Sequence, residues 1–298
     1  MKKINRKFLV KYSWEWSAVM YTLCISDKNN DKRRENATSE LNKIGLPFEF
    51  FDAVMGKNMS KDELDAASFP NTHLTSGEIG CALSHVGCYK KFLSTEEKSL
   101  MVFEDDILFF EGCSKDLLEK LVNFVEGKTA PAVLGIHTDN YDFKRECVIS
   151  RDIQINKAYG LYGTYAYIVN RPAAEKLIEI QTPATFESDL FKFSYFLSGI
   201  EIFTLNRNVL GTHPEDVLPS NLTPDRYRTG NRMKRKKKAF WTKFLEAPLN
   251  TKMGILWRRV YKHYLSDVKR KRFLKEIQKS EGQEMMQVDK SVLKSRRA

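Results

Sequence analysis

The stretch SLMVFEDDILFF, residues 99–110, decides how this chain is read. Nine of its residues are apolar or small, and Glu104, Asp105 and Asp106 are consecutive acids. The run over residues 100–103 is short, apolar and partly β-branched and aromatic, which predicts a buried strand rather than a helix. In open α/β sheets ligands sit beyond the carboxyl ends of the strands. Three carboxylates placed there repel one another unless a cation or several donors neutralise them, and hard carboxylate oxygens suit magnesium, manganese or calcium. The competing reading is a polar turn whose acids face water. A surface turn has no need of Phe103 before it and of Ile107, Leu108, Phe109 and Phe110 after it.

Working outward, a chain of 298 residues with 42% apolar and 29% charged residues can bury a sizeable core in one large or two small domains. Its net charge of +11 is unevenly placed. Residues 231–298 hold 21 Lys and Arg against 6 Asp and Glu, or +15, which leaves −4 on the first 230. A slightly acidic body opposes a nucleic-acid grip, and a basic tail seeks an anionic surface. Cys24, Cys81, Cys88, Cys113 and Cys147 are odd in number and lack a disulfide-scaffold spacing, which predicts reduced thiols in a cytosolic protein. The lysines and arginines before the apolar run over residues 16–25 mimic a signal peptide. That run is too short to span a bilayer and has no clear cleavage site after it.

Upstream of the acidic stretch, residues 19–25 predict the first core strand, residues 32–44 a helix stopped by Gly45 and Pro47, and residues 48–54 a second strand. Strand, helix, strand opens a doubly wound sheet whose first loop faces the ligand, so Arg33 and Arg34 can reach a diphosphate or can form a solvated first turn. Ser60 and Glu63 make a capping box. Residues 74–93, LTSGEIGCALSHVGCYKKFL, predict a helix with Ser76 as N-cap and Ile79, Leu83, Val86, Lys90 and Leu93 as its core stripe. Glu78, Cys81, His85 and Cys88 fall on another stripe. A zinc site of Cys81, His85 and Cys88 is weakly supported by three positions on one helix, while Glu78 and His85 need a polar role.

Downstream, Ser114 caps a helix that ends at Gly127, and residues 131–136, 163–169 and 200–205 read as strands. Asn170 and Pro172 start another helix. Residues 139–159 read as an irregular lid or surface loop. Lys234 to Lys238 reads as a linker-like basic run, followed by a basic amphipathic helix with Leu256, Val260, Tyr264 and Val268 on one side. With Trp241 and Trp257 this predicts membrane-surface binding, against the alternative of a solvated helix packed on the body.

Taken together, VMYTLCISDKNNDKRRE, FEFFDAV, LTSGEIGCALSH, MVFEDDILF, GTYAYIV and the downstream Asp189 resemble, in order and spacing, the bacterial lipopolysaccharide glycosyltransferases of family 25. The resemblance covers roughly residues 19–221. It implies an α/β fold of the GT-A, Rossmann-like nucleotide-sugar type, with a mostly parallel central sheet. Residues 1–18 are then an N-terminal extension, 19–230 the glycosyltransferase domain and 231–298 a basic, largely helical, membrane-associating tail. The implied activity is inverting transfer of a hexose, galactose from UDP-galactose, onto a lipid-linked oligosaccharide, with a divalent metal, manganese ahead of magnesium. With the scattered cysteines and the basic tail, this predicts a cytoplasmic enzyme held peripherally on the inner face of the cytoplasmic membrane.

On that reading Glu104-x-Asp106 is a DXD-like motif. Asp106 is expected as a direct metal ligand, Glu104 as a ligand through water or a ribose contact, Asp105 as a donor-sugar contact and His213 as an additional metal ligand. Arg33, Arg34, Ser84 and His85 complete the expected donor site. Asp189 is the expected base, and Glu78 the second candidate; Glu78 can instead orient Arg33 or His85, or cap its helix. Two other classes compete: a non-catalytic nucleotide-sugar- or glycan-binding protein on this fold, and a nucleic-acid binder using the tail. The acidic triplet with Glu78 opposes the first, and the acidic body opposes the second.

Overall fold

The protein is described by a computed structural model over residues 20–214, residue 218 and residues 232–279. The N-terminal extension and the last residues of the basic tail lie outside the described residues. The chain opens with β1 (Thr22–Ser26), α1 (Asp31–Lys43) and β2 (Glu49–Asp52). Asn30 caps α1 by accepting the Arg33 N–H. A 3-10 turn (Gly56–Asn58) and α2 (Lys61–Ala67), begun by the Ser60–Glu63 capping box, lead to α3 (Ser76–Leu93). Next come β3 (Ser99–Glu104), β4 (Ile107–Phe109), α4 (Lys115–Glu126) and β5 (Ala132–Gly135). The hairpin β6 (Asp142–Val148) and β7 (Gln154–Ala158) precedes β8 (Ala166–Asn170), α5 (Arg171–Gln181) and α6 (Phe191–Ser198). β9 (Glu201–Leu205), β10 (Leu210–Thr212), α7 (Arg232–Glu246) and α8 (Leu249–Tyr264) follow, and α8 runs on through a π-helical segment (Leu265–Lys269).

The central sheet has eight strands in the order β2-β1-β3-β8-β5-β9-β7-β6. β1 is parallel to β2 and β3, and β5 to β9. β8 is antiparallel to β3 and β5, and β7 to β9 and β6. Thus β1, β2, β3, β5, β6 and β9 point one way and only β8 and β7 oppose them, which makes the sheet mostly parallel, as expected of a GT-A-type, Rossmann-like fold. β3 sits inside it, and its unbroken apolar run follows from burial on both faces. Leu100 and Val102 join a cluster with Tyr89 and Phe92 of α3 and Leu177 of α5. Met101 and Phe103 join Leu41 of α1 and Leu118, Leu121 and Phe124 of α4.

Four expectations are corrected. Residues 142–148 and 154–158 form the β6–β7 hairpin at one end of the sheet rather than a loop; two register shifts between β6 and β7 break the alternation that would reveal them in sequence. Thr75, not Ser76, caps α3. The core stripe of α3 is Ile79, Ala82, Val86 and Tyr89, with Leu83 and Leu93 half-buried and Lys90 exposed. The Lys234–Lys238 run is no linker: it lies within α7, whose Ala239 and Phe240 pack on Ile180, Phe186 and Phe196.

Candidate active site

β1 and β3 end side by side, with Ile25 opposite Glu104, so the next residues, Ser26 and Asp105, meet at the carboxyl edge. The Ser26 hydroxyl donates to Asp105 Oδ2 at 2.7 Å. Arg33, in the first turn of α1, donates to Asp105 Oδ1 and also to Asp106 Oδ2 at 3.3 Å. Asn36, one turn on, donates to the carbonyls of Asp105 and Ile107 at 3.0 and 3.1 Å, fixing the tight reversal between β3 and β4. Both Asp105 oxygens are thus occupied within the protein. Asp105 anchors Arg33 and also lines the pocket.

Glu104 accepts from the Thr164 hydroxyl at 2.5 Å and lies 3.5 Å from His85 Nε2. His85 Nδ1 is 2.8 Å from the Tyr167 hydroxyl, which is 2.7 Å from that of Tyr89, so the imidazole is fixed from behind. Burial alone would raise the Glu104 carboxyl, but His85, Thr164 and Arg33 outweigh it and hold it below the usual range. Burial and then the Glu104 charge push Asp106 up to about 6. Asp106 Oδ1 is buried without a hydrogen-bond partner among the described residues. A buried carboxylate oxygen left over near a second carboxylate has the chemistry of a hard divalent-cation ligand, so Asp106 and Glu104 are the candidates to hold one. One ligand atom each from Cys81, His85 and Glu104 also lie within 4.8 Å of one another. Cys88 does not join them; it is fully buried among Phe92, Leu100 and Val102, so the Cys81–His85–Cys88 zinc arrangement is not formed.

The opposite wall comes from α3 and the loop after β2, and two glycines permit it. A Cβ at Gly80 would lie 2.3 Å from the Val54 carbonyl, and one at Gly56 would lie 1.8 Å from that of Ser76. Only glycine at both positions lets the loop press on the helix. Ser84 clamps the contact, accepting from the Val54 N–H and donating to the Gly80 carbonyl, each at 2.8 Å. The resulting pocket is lined by Asp27, Arg33, Lys57, Ser84, His85 and the three acids, among others.

The other expected residues fall elsewhere. Arg34 pairs with Asp52 and lies over the Phe50 ring at 4.5 Å, away from the pocket lining. Glu78, 2% exposed, makes the capping box with Thr75 and pairs with Arg232 of α7 at 2.5 Å. Asp189 is half-buried in the segment before α6, and its carbonyl accepts from Gly163, the neighbour of Thr164. His213 follows β10, which pairs with β4, and its N–H donates to the Asp106 carbonyl at 2.8 Å.

Sequence reasoning did not find Glu187. This buried acid lies 3.1 Å from His73 Nε2 and takes bonds from Arg232 at 2.8 Å and Lys236 at 2.5 Å. Burial would raise its carboxyl, yet these three partners hold it far below the usual range. No local signal joins Arg232 to Glu78, 154 residues earlier. Ser26 had one: it closes a strand that lies parallel to β3.

With this geometry in place the chain can be assigned. Glycosyltransferase family 25 (LPS biosynthesis protein) matches residues 20–192, and the chain belongs to that family. A Haemophilus influenzae protein (strain ATCC 51907 / DSM 11121 / KW20 / Rd) named a glycosyltransferase is 28% identical over 232 residues, covering 73% of this chain and 81% of its own. Lipooligosaccharide biosynthesis protein lic2B of Haemophilus influenzae is 35% identical over 91 residues, or 30% of this chain and 34% of its own. Procollagen galactosyltransferase 2 of Homo sapiens is 25% identical over 165 residues, covering 52% of this chain and 26% of its own. The match to the last two is therefore to about a third or less of their length.

Proposed function

We propose that the protein transfers galactose from UDP-galactose, with inversion, to the oligosaccharide of a lipopolysaccharide or lipooligosaccharide acceptor. The observation that carries this reading is the unpartnered Asp106 Oδ1 beside Glu104, in a pocket at the carboxyl edge of the sheet. The galactosyl and lipooligosaccharide parts draw on the names of the relatives above.

In this reading Asp106 and Glu104 hold a divalent cation, manganese ahead of magnesium, with His213 as a further ligand carried in by β10. When bound, the cation supplies Lewis-acid neutralisation of the diphosphate charge as the glycosidic bond breaks. Arg33, fixed by Asp105, faces the diphosphate. His85 and Ser84 shape the donor wall. Asp189 takes the proton of the acceptor hydroxyl on the far side of the anomeric carbon.

The tail supports a membrane-facing placement. On α8, Met253, Leu256, Trp257, Val260 and Tyr264 are exposed, Trp257 by 66% and Val260 by 68%. Basic residues surround them, as on helices that lie in an anionic interface. No helix among the described residues is long and apolar enough to cross a membrane. This face docks the protein on the inner leaflet of the cytoplasmic membrane, where a lipid-linked acceptor is available.

The test is hydrolysis of a panel of UDP-sugars without acceptor, in manganese, magnesium or chelator. UDP-galactose turning over with manganese and not with chelator is the expected result; turnover of no UDP-sugar under any condition overturns the donor assignment. Asp189→Asn should cut transfer by ~10²–10⁴-fold while UDP binding survives. Loss of UDP binding would move Asp189 to the donor site.

A further inference from the structure

A second cavity, of about 410 Å³, lies between α6, α7 and α8. Lys192, Lys236, Lys237, Arg259 and Lys262 line it, and none of its lining residues is acidic. Among the described residues, only Lys236 of these five has an ion-pair partner, Glu187. Aromatic rings hold three of the others: Arg259 lies 4.9 Å over both Phe240 and Trp241, Lys262 5.6 Å over Phe196 and Lys192 5.5 Å over Phe193. Burial, together with the charges of Lys236 and Lys262, lowers the Lys192 ammonium. Cations gathered around an open space repel one another; Glu187 and Asp189 offset that cost only in part for Lys192, and a bound dianion offsets more of it.

The cavity also lies close in sequence to Asp189, the proposed base. Lys192 stands three residues after Asp189, a chain distance of at most about 10 Å. Lys236 is bonded to Glu187, two residues before Asp189.

We propose that this cavity binds a phosphate group carried by the acceptor saccharide, so that the substrate of the transfer is a phosphorylated oligosaccharide. The acceptor role rests on the transferase reading above; the binding of phosphate does not. Phosphate oxygens accept from the lysines and from Arg259, and the rings shield these bonds from water.

Trp241 in the wall provides the readout. The full chain is titrated with inorganic phosphate at constant ionic strength, without donor or metal, and its tryptophan fluorescence is followed. A saturable change is expected, absent in Trp241→Phe, with affinity about tenfold or more weaker in Lys192→Gln and in Lys262→Gln. A wild-type protein that shows no saturable change, or variants that bind as wild type does, overturns the proposal. Co-sedimentation with phosphatidylglycerol vesicles identifies the source of the phosphate. Lys192→Gln should sediment as wild type does, whereas its loss from vesicles would assign the cavity to a lipid headgroup and overturn the acceptor assignment. If phosphate binds as expected while no UDP-sugar is hydrolysed, the cavity stands and the donor reading falls.

Discussion

The backbone N–H of His213 donates to the carbonyl of Asp106 at 2.8 Å. Through this bond the β4–β10 ribbon brings a residue more than a hundred positions downstream to the acid at the end of β3. The pairing makes the metal expectation testable at two depths. Asp106→Ala should lower transfer by about 10²-fold or more, since it removes a carboxylate from where charge builds up. His213→Ala should weaken manganese affinity while leaving UDP-sugar turnover measurable at saturating metal. Transfer by Asp106→Ala in excess chelator at the rate of the wild type with metal would end the metal reading.

Gly80→Ala should destabilise the fold by about 1–3 kcal/mol, because the new methyl meets the Val54 carbonyl and the Gly56 backbone rather than a movable side chain. UDP affinity should fall with it, since the displaced loop is a pocket wall. Chemical denaturation and UDP titration of one preparation check both effects. Unchanged stability would show that the loop yields freely.

Glu187→Gln leaves Arg232, Lys236 and His73 without their shared anion. A cost of about 2–4 kcal/mol is expected, as for other broken buried charge networks. The native partners depress this carboxyl below its ordinary 4.5, so its contribution is complete above that pH and is lost as the pH falls further. The difference in unfolding midpoint between wild type and variant should therefore be widest near pH 7 and shrink below about pH 4.5. A constant difference would assign the effect to packing.

Asp142 has the opposite sign. This buried acid accepts from Thr204 and from Asn156, the latter at 2.9 Å. Burial first, and the Asp139 charge with it, push the carboxyl from 3.8 up to about 6 against these bonds and Arg270. The folded state binds the proton more tightly than the unfolded chain, so this group's contribution falls as the pH rises from about 4 to 6. Asp142→Asn should gain on wild type across that window, by up to roughly 3 kcal/mol, and stay level above it. Thermal unfolding of both proteins from pH 4 to pH 8 gives the answer.

What the sequence settled on its own was local or periodic in character. Residues 100–103 announced a strand buried on both faces. The Ser60–Glu63 box, the Ser114 and Asn170 caps and the α1 boundaries are short-range hydrogen-bond patterns, and they stand where the residues predict. The acids at the end of β3, with Arg33, Ser84 and His85 nearby, were legible because consecutive elements of a βα fold meet at one sheet edge.

Tertiary structure decided which of these groups keeps an open valence. Asp105, Arg34 and Glu78 carry the charge expected of site residues, yet Ser26 and Arg33, Asp52, and Arg232 satisfy them. Those partners come from separate strands or from a helix near the other end of the chain. A carboxylate's role depends on whether donors already surround it, and pairing over such distances leaves no periodicity in the sequence. The same holds for Glu187 and for the cationic cavity, which exist only where α7 and α8 close over α6.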